Sequence, residues 1–135
     1  MEELKFTVNL PPRSKKNSQQ IFMNRRTNRP FITQSAQYKE YEEEAMQFIP
    51  SGIKIDGPCN VKCLFYMPTK RKCDLTNLEA AIHDIMVKAG LLADDNRDIV
   101  AGTDGSRVYH DKTNPRTEVT ITPIENYKRW KGGEK

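Results

Sequence analysis

The chain of 135 residues has 36% hydrophobic residues and a formal net charge of +4 at pH 7, which suits one domain with a single core. No apolar run approaches the roughly 18 residues of a membrane span, and the acidic N-terminus lacks the layout of a signal peptide. These features exclude two separate cores and predict a soluble, cytoplasmic protein with no membrane partner.

The first part of the chain predicts a strand, a cationic loop and a hairpin. Residues 4–10 alternate between apolar and polar side chains, which is the period of a half-buried strand, and a proline pair ends it. A polar loop over residues 11–20 leads to two short apolar segments, 21–23 and 30–33, on either side of a turn.

Two helices and a central strand follow. Residues 35–49 place aromatic and small apolar side chains on one helical face. Residues 61–67 are largely apolar on both faces, which is typical of a strand in the middle of a sheet. Residues 75–89 repeat apolar side chains at spacings of three and four, and Gly90 is well placed to end this second helix.

The remainder predicts two strands, over residues 99–109 and 118–124, with breaks at Asp104-Gly105 and Asn114-Pro115. The element order is strand, hairpin, helix, strand, helix, strand, strand. Strands that outnumber helices without strict alternation predict an α+β fold with one mixed β-sheet and two main helices. We assign this single domain to residues 1–125 and interpret residues 126–135 as a basic, flexible C-terminal tail.

Charge is segregated along the chain. Residues 13–29 hold six basic side chains and no acidic one, and residues 70–72 form a second basic cluster. The acidic residues collect in segments 40–44 and 94–98. This segregation suits a polyanionic partner, and the alternative is a solvated surface with chance clusters.

The cysteines give no sign of a disulfide framework or a zinc site. Cys59, Cys63 and Cys73 are an odd count without a Cys-x-x-Cys pair, and the two histidines lack a zinc-ligand spacing. We therefore interpret all three cysteines as reduced structural thiols.

Carboxylates bracket the second predicted helix. Asp74 lies at its start, and Asp94 and Asp95 follow its end. Hard divalent cations such as magnesium bind oxygen ligands, and the basic residues nearby would hold a phosphate backbone. The alternative is structural, because Thr76 and Glu79 fit a capping box and the acidic pair fits a solvated turn.

Distance limits how these carboxylates can meet. A helix over residues 75–89 is about 22 Å long. The chain from Gly90 to Asp95 returns at most about 20 Å when fully extended. A site that unites Asp74 with Asp95 in one subunit is therefore stretched, and we expect a dimer partner to complete or support each site.

The segment CDLTNLEAAIHDIMVKAGLLADDNRDIV, residues 73–100, resembles the signature of the RusA family of Holliday junction resolvases. That signature has a helix start of the form Asp-x-Asp-Asn-Leu, an Asp inside the helix, then Gly and an Asp-Asp pair. The segments PPRSKKNSQQI and GSRVYHDKTNPRTEV are compatible with the same family, and only the tail falls outside the resemblance. The resemblance implies a small homodimeric α+β endonuclease of bacterial, phage or prophage origin.

Carried over residue by residue, the resemblance makes Asp74 and Asp95 catalytic and metal-binding residues, with Asp94 beside them. It gives Asn77 and Asp84 supporting roles. The implied cofactor is magnesium (Mg2+) or manganese (Mn2+).

Two positions depart from the family pattern. Thr76 stands where the pattern has a second catalytic Asp, and Ala80 stands where it has a functional Lys. The Thr76 hydroxyl can support a metal-bound water but is a poorer ligand than a carboxylate, so either the metal affinity is lower or Asp94 substitutes. The candidates to replace the missing cation are Lys15, Lys16, Lys70 and Lys72, among which the sequence does not choose.

The resemblance implies a metal-dependent endodeoxyribonuclease that resolves four-way (Holliday) junctions by paired nicks in DNA recombination and repair. Its candidate DNA-binding residues are Lys15, Lys16, Asn17, Arg25, Arg26, Lys70, Arg71 and Lys72. One alternative is a catalytically weak or inactive protein that binds branched DNA. Another is a single-strand binding module that stacks bases on Phe22, Tyr38 and Trp130.

Overall fold

The computed structural model describes residues 2–15, 19–24, 26–27, 29–34 and 36–125, so the predicted tail lies outside the described residues. In chain order its elements are β1 (Leu4–Val8), β2 (Gln19–Asn24), β3 (Arg29–Gln34), α1 (Ala36–Met46), β4 (Cys59–Met67), α2 (Leu75–Lys88), β5 (Val100–Gly102), β6 (Arg107–His110) and β7 (Arg116–Pro123). Neither of the helices described is long and apolar enough to cross a bilayer.

Five strands form one mixed sheet with β4 in its interior. β7 pairs with β4 and with β1 in antiparallel fashion, while β5 and β6 both pair in parallel along the other edge of β4. β2 and β3 form a separate antiparallel hairpin. The predicted α+β fold, with a mixed sheet and two helices in a single domain, is confirmed.

Helices α1 and α2 contribute the apolar side chains of the core together with one face of the sheet. On β4 the alternate residues Cys59, Val61, Cys63 and Phe65 are at most 1% exposed, whereas the residues between them are only half-buried. The central position predicted for this strand is correct, but only one of its faces is fully buried. The sheet therefore holds the core on one side and leaves the other partly open to solvent.

Helix α1 ends earlier than the sequence pattern indicates. Its regular hydrogen bonding stops at Met46, and the next three residues donate to carbonyls three positions back, as in a tighter turn. Ile49 is nevertheless buried, because this turn keeps it against the core. The apolar pattern of the sequence therefore extends to Ile49, three residues beyond the end of the helix.

Helix α2 ends at the predicted glycine. Gly90 has φ +85°, and its N–H donates to the Val87 carbonyl at 3.0 Å. The N–H of Leu91 donates to the Met86 carbonyl at 3.0 Å, which completes the two-bond motif that commonly closes helices at glycine. This turn starts the return of the chain towards β5.

The long strand predicted over residues 99–109 is two strands, β5 and β6. Gly105 lies between them with φ +89°, in the turn predicted there. The Asn60 side chain donates to the Asp104 carbonyl at 3.1 Å and accepts from the Asp104 N–H at 2.8 Å. Because this side chain takes the place of a strand partner, the turn stays attached to β4 without continuous pairing.

Candidate functional site

Asp74 is the N-cap of α2. It has an extended backbone (φ −100°, ψ 115°), and its Oδ1 accepts hydrogen bonds from the Thr76 N–H at 3.1 Å and the Thr76 hydroxyl at 2.7 Å. The predicted capping box with Thr76 as the cap is therefore wrong. Glu79 instead interacts with the Thr103 side chain. Burial raises the pKa of Glu79, and the hydrogen bond with Thr103 offsets part of this shift.

A cavity of about 460 Å³ opens beside this helix start. Residues 11–14 line it together with residues from the end of β4 and the loop before α2. Its cations are Arg13, Arg71 and Lys72, and none of the three forms an ion pair with a carboxylate of the described residues. The fold thus brings together two basic segments that are far apart in the sequence. Cys73, which directly precedes Asp74, lines the same cavity.

The candidate DNA-binding residues occupy several places. Lys70, Arg71 and Lys72 are exposed in the loop before α2, and Arg26 is exposed in the β2–β3 turn. The remaining candidates on the N-terminal side are Lys15, which is ion-paired, and Lys16, Asn17 and Arg25, which lie outside the described residues. Among the candidates that the structure describes, the 70–72 cluster lies next to Asp74.

Asp84 ties three parts of the chain together. Its Oδ2 lies 2.8 Å from Lys15 Nζ and 3.3 Å from Lys88 Nζ, and Lys88 also contacts Glu42 of α1 at 3.1 Å. Burial alone would raise the pKa of Asp84, but the hydrogen bonds and charges of the two lysines outweigh it and hold the pKa below its ordinary value. This network gives the aspartate inside the helix a structural role.

Asp94 and Asp95 are exposed in the turn after α2. Asp94 Oδ1 accepts from the Asp95 N–H at 2.7 Å and its Oδ2 accepts from the Asn96 side chain at 3.2 Å, so Asp94 organises this turn. The negative charge of Asp95 affects the pKa of the buried His83 of α2. Burial lowers the pKa of His83, and the charge of Asp95 offsets part of this shift.

The charge of Asp95 influences His83, whereas Asp74 caps the start of α2. His83 lies nine residues beyond Asp74, which is about 13 Å along a helix axis. Asp95 is thus an electrostatic neighbour of the middle of α2, whereas Asp74 stands at its start. In the sequence the two carboxylates bracket α2 as predicted, with Asp74 at its N-cap and Asp95 in the turn that follows it.

The donor chemistry fits a hard divalent cation in part. Among the residues described, no group of three His, Cys, Asp or Glu side chains is arranged to hold a metal ion. Magnesium in nuclease-type sites usually takes one or two carboxylates and completes its coordination with water and substrate phosphates. The exposed carboxylates of Asp74 and Asp95 suit such a site, in which DNA supplies the remaining oxygens, and half-buried Asn77 lies near the first of them.

Base stacking on the predicted aromatic residues receives no support. Tyr38 is 0% exposed in the core between α1 and the sheet, where no base can reach it. The side chain of Phe22 and the whole of Trp130 lie outside the described residues. The expectation that the three cysteines are free thiols agrees with the structure, in which two are buried and Cys73 is half-buried.

The structure adds Arg13, Cys73 and His83 to the candidate residues. Arg13 opens the cationic segment 13–29 and Cys73 precedes Asp74, so both had a weak local signal. His83 had none, since it occupies one position on an apolar helix. A cavity between residues 11–14 and 67–73 depends on long-range contacts that no local pattern reveals.

Comparison with known proteins assigns the family. The family model described as endodeoxyribonuclease RusA matches residues 9–122, a range that contains every carboxylate considered above. No curated protein matches the chain. The match covers most of the sequence, including both segments that line the cavity. The chain belongs to the RusA endodeoxyribonuclease family.

Proposed function

We propose that this protein is a metal-dependent Holliday junction resolvase that acts as a homodimer and cuts four-way DNA junctions by paired nicks, in DNA recombination and repair. The observation that carries the proposal is the position of Asp74. Its carboxylate is fixed at the start of α2, next to a cavity lined by three cations, in a chain of the RusA family.

The basic residues account for binding of the substrate. Arg71 and Lys72 are exposed and unpaired with carboxylates among the described residues, so they are available to neutralise DNA phosphates. Asp74 follows them after one residue. Phosphates held by these cations would therefore lie beside a carboxylate, which is the arrangement that metal-assisted hydrolysis requires.

Asp74 and Asp95, with Asp94 adjacent, are the residues proposed to hold Mg2+ or Mn2+. When bound, the ion supplies a Lewis acid that polarises the scissile phosphate and a nucleophilic water of lowered pKa. Thr76 keeps Asp74 Oδ1 oriented through its hydroxyl. Because Asp74 precedes α2 and Asp95 follows it, we propose that the partner subunit supports each site, and a symmetric dimer would present two sites to symmetric strands.

The test compares a labelled four-way junction with a linear duplex of the same sequence, in Mg2+ and in Mn2+. Symmetric nicks in the junction alone, absent from Asp74→Asn, would establish the resolvase. Asp95→Asn is expected to retain junction binding while cleavage collapses. If Asp95→Asn cuts at the wild-type rate, the role assigned to that carboxylate is wrong.

A catalytically weak or inactive branched-DNA binding protein is the second candidate. The observation that favours it is the departure at position 76, where the family pattern has another carboxylate. Here Thr76 stands at that position, and its hydroxyl donates a hydrogen bond to Asp74 Oδ1. This candidate predicts tight junction binding that is equal with and without metal. It also predicts no nicks at any metal concentration.

A further inference from the structure

The cavity beside Asp74 has the size of a small-ligand site. Its volume of about 460 Å³ falls in the range of roughly 300–1,000 Å³ typical of pockets for small molecules. A duplex, whose major groove alone is about 12 Å wide, cannot enter such a space. A single nucleotide displaced from the helix stack is of the right scale.

The lining combines two kinds of surface that match the two parts of a nucleotide. Arg13, Arg71 and Lys72 supply positive charge. The apolar part of the lining consists of Pro11, Pro12, Met67, Pro68 and Leu78. None of the described residues that line the cavity is acidic, so charge there favours a phosphate, while the apolar side chains suit the faces of a base.

The two walls are held in place by separate contacts. The Arg13 guanidinium donates to Gln37 of α1 at 3.4 Å, and Lys15 of the same segment is ion-paired to Asp84. The opposite wall is the loop between β4 and α2, which the Asp74 cap connects to the helix. The cavity therefore lies between two anchored segments.

We propose that this cavity binds one extrahelical nucleotide of the junction, with its phosphate held by Arg13, Arg71 and Lys72 and its base against the apolar lining. The inference rests on the proposed function and deepens it, because it names the part of the substrate that the site receives. Extruding a nucleotide costs least where pairing is already weak. Because stacking is interrupted at a branch point, we expect extrusion to cost less there than within a linear duplex.

Cys73 provides a reporter of occupancy that is independent of cleavage. It lines the cavity and is half-buried, whereas Cys59 and Cys63 are each 0% exposed. A maleimide should therefore label Cys73 selectively, and Cys73→Ser supplies the background rate. Because burial and the charge of Asp74 raise the pKa of the Cys73 thiol, mildly alkaline pH is appropriate.

The first measurement is the labelling rate in the absence of metal, with binding followed in parallel by fluorescence anisotropy. A four-way junction at about ten times its Kd should slow labelling about tenfold, and the linear duplex at equal saturation should not. Equal protection by both DNAs would mean that ordinary backbone phosphates occupy the cavity and would overturn the inference. Unchanged labelling with saturating junction would overturn it as well.

The second measurement places 2-aminopurine at the branch point, where unstacking raises its fluorescence. The wild-type protein should increase the signal, Arg71→Gln should abolish the increase, and Lys54→Gln should retain it. Lys54 is exposed and lies away from the cavity, because the N–H of its neighbour Ile55 donates to the Leu91 carbonyl beyond the C-terminal end of α2. Lys54→Gln therefore removes one positive charge, as Arg71→Gln does, without altering the cavity. No increase with a saturating amount of wild-type protein would refute the extrahelical nucleotide.

Cleavage separates this inference from the proposed function. Junction nicking without protection of Cys73 would leave the resolvase intact and remove the nucleotide site. Protection and increased fluorescence without nicking at any metal concentration would support the nucleotide site and remove the nuclease assignment.

Discussion

The Thr76 hydroxyl donates a 2.7 Å hydrogen bond to Asp74 Oδ1, the same oxygen that caps α2 by accepting the Thr76 N–H. This oxygen therefore caps the helix, and the same two hydrogen bonds fix the orientation of the Asp74 carboxylate beside the cationic cavity. Capping and the proposed metal binding respond differently to substitution, because capping needs an acceptor whereas a carboxylate ligand of a metal needs its negative charge.

Substitutions at Asp74 should separate its two roles. Asp74→Asn keeps a good capping acceptor and loses the charge, so we expect near wild-type stability with cleavage abolished. Asp74→Ala loses both and should unfold with a free energy lower by about 1 kcal/mol. Urea denaturation and junction cleavage of the two variants check this. Undiminished cleavage by stably folded Asp74→Asn would remove Asp74 from the site.

Thr76→Asp should increase the affinity for magnesium, since it adds the carboxylate that the family pattern has at this position. We expect about a tenfold lower metal concentration at half-maximal cleavage, or about 1.4 kcal/mol. Thr76→Val is the matched control, because it keeps the shape and removes the hydroxyl that contacts Asp74. If Thr76→Asp needs as much metal as Thr76→Val, residue 76 does not act on the metal.

Asp84→Asn should destabilise the fold above pH 4. The pKa of Asp84 is lowered from 3.8 in the folded state, so its contribution is full above the unfolded value and is lost as pH falls through the folded one. Because the Lys15 and Lys88 side chains are 37% and 44% exposed, solvent screens the network and the loss should be only about 1 kcal/mol.

Unfolding by urea at pH 7 and at successively lower pH measures this loss. The exposed Glu43→Gln is the control, since Glu43 forms no ion pair within the described residues. A difference between Asp84→Asn and wild type that stays constant down to pH 2 would contradict the electrostatic explanation.

Gly102→Ala should disturb the connection between β5 and β4. A Cβ at this position would lie 2.7 Å from Asn60 Oδ1, the atom that accepts the Asp104 N–H. We expect a loss of about 1–3 kcal/mol, typical of overpacking. Gly57→Ala, whose Cβ would meet nothing within 4 Å, should change stability by less than about 1 kcal/mol. Equal melting temperatures for the two variants would disprove the clash.

Lys72→Gln should lower the affinity for the junction and make that affinity less sensitive to salt concentration. Losing one phosphate contact reduces the slope of log K against log salt concentration by about 0.9. Anisotropy titrations at several salt concentrations measure the slope, with Lys54→Gln as the control of equal charge. An identical slope for both variants would show that Lys72 contacts no phosphate.

Local patterns predicted much of the fold. Alternating apolar residues predicted β1 and β4, and spacings of three and four predicted α1 and α2. These periods follow from the geometry of the backbone, so a short window contains them. The end of α1 was predicted three residues late because Ile49 is buried by a turn rather than by a helix.

The candidate site was predictable in its residue types and not in its assembly. The sequence by itself determined the fold class, the carboxylates around α2 and the basic clusters, because these depend on nearby residues. Only the tertiary structure decided that Lys15 is paired with Asp84 and that residues 11–14 meet residues 67–73 around a cavity. Such contacts join segments more than 50 residues apart, and long-range packing of the core selects them.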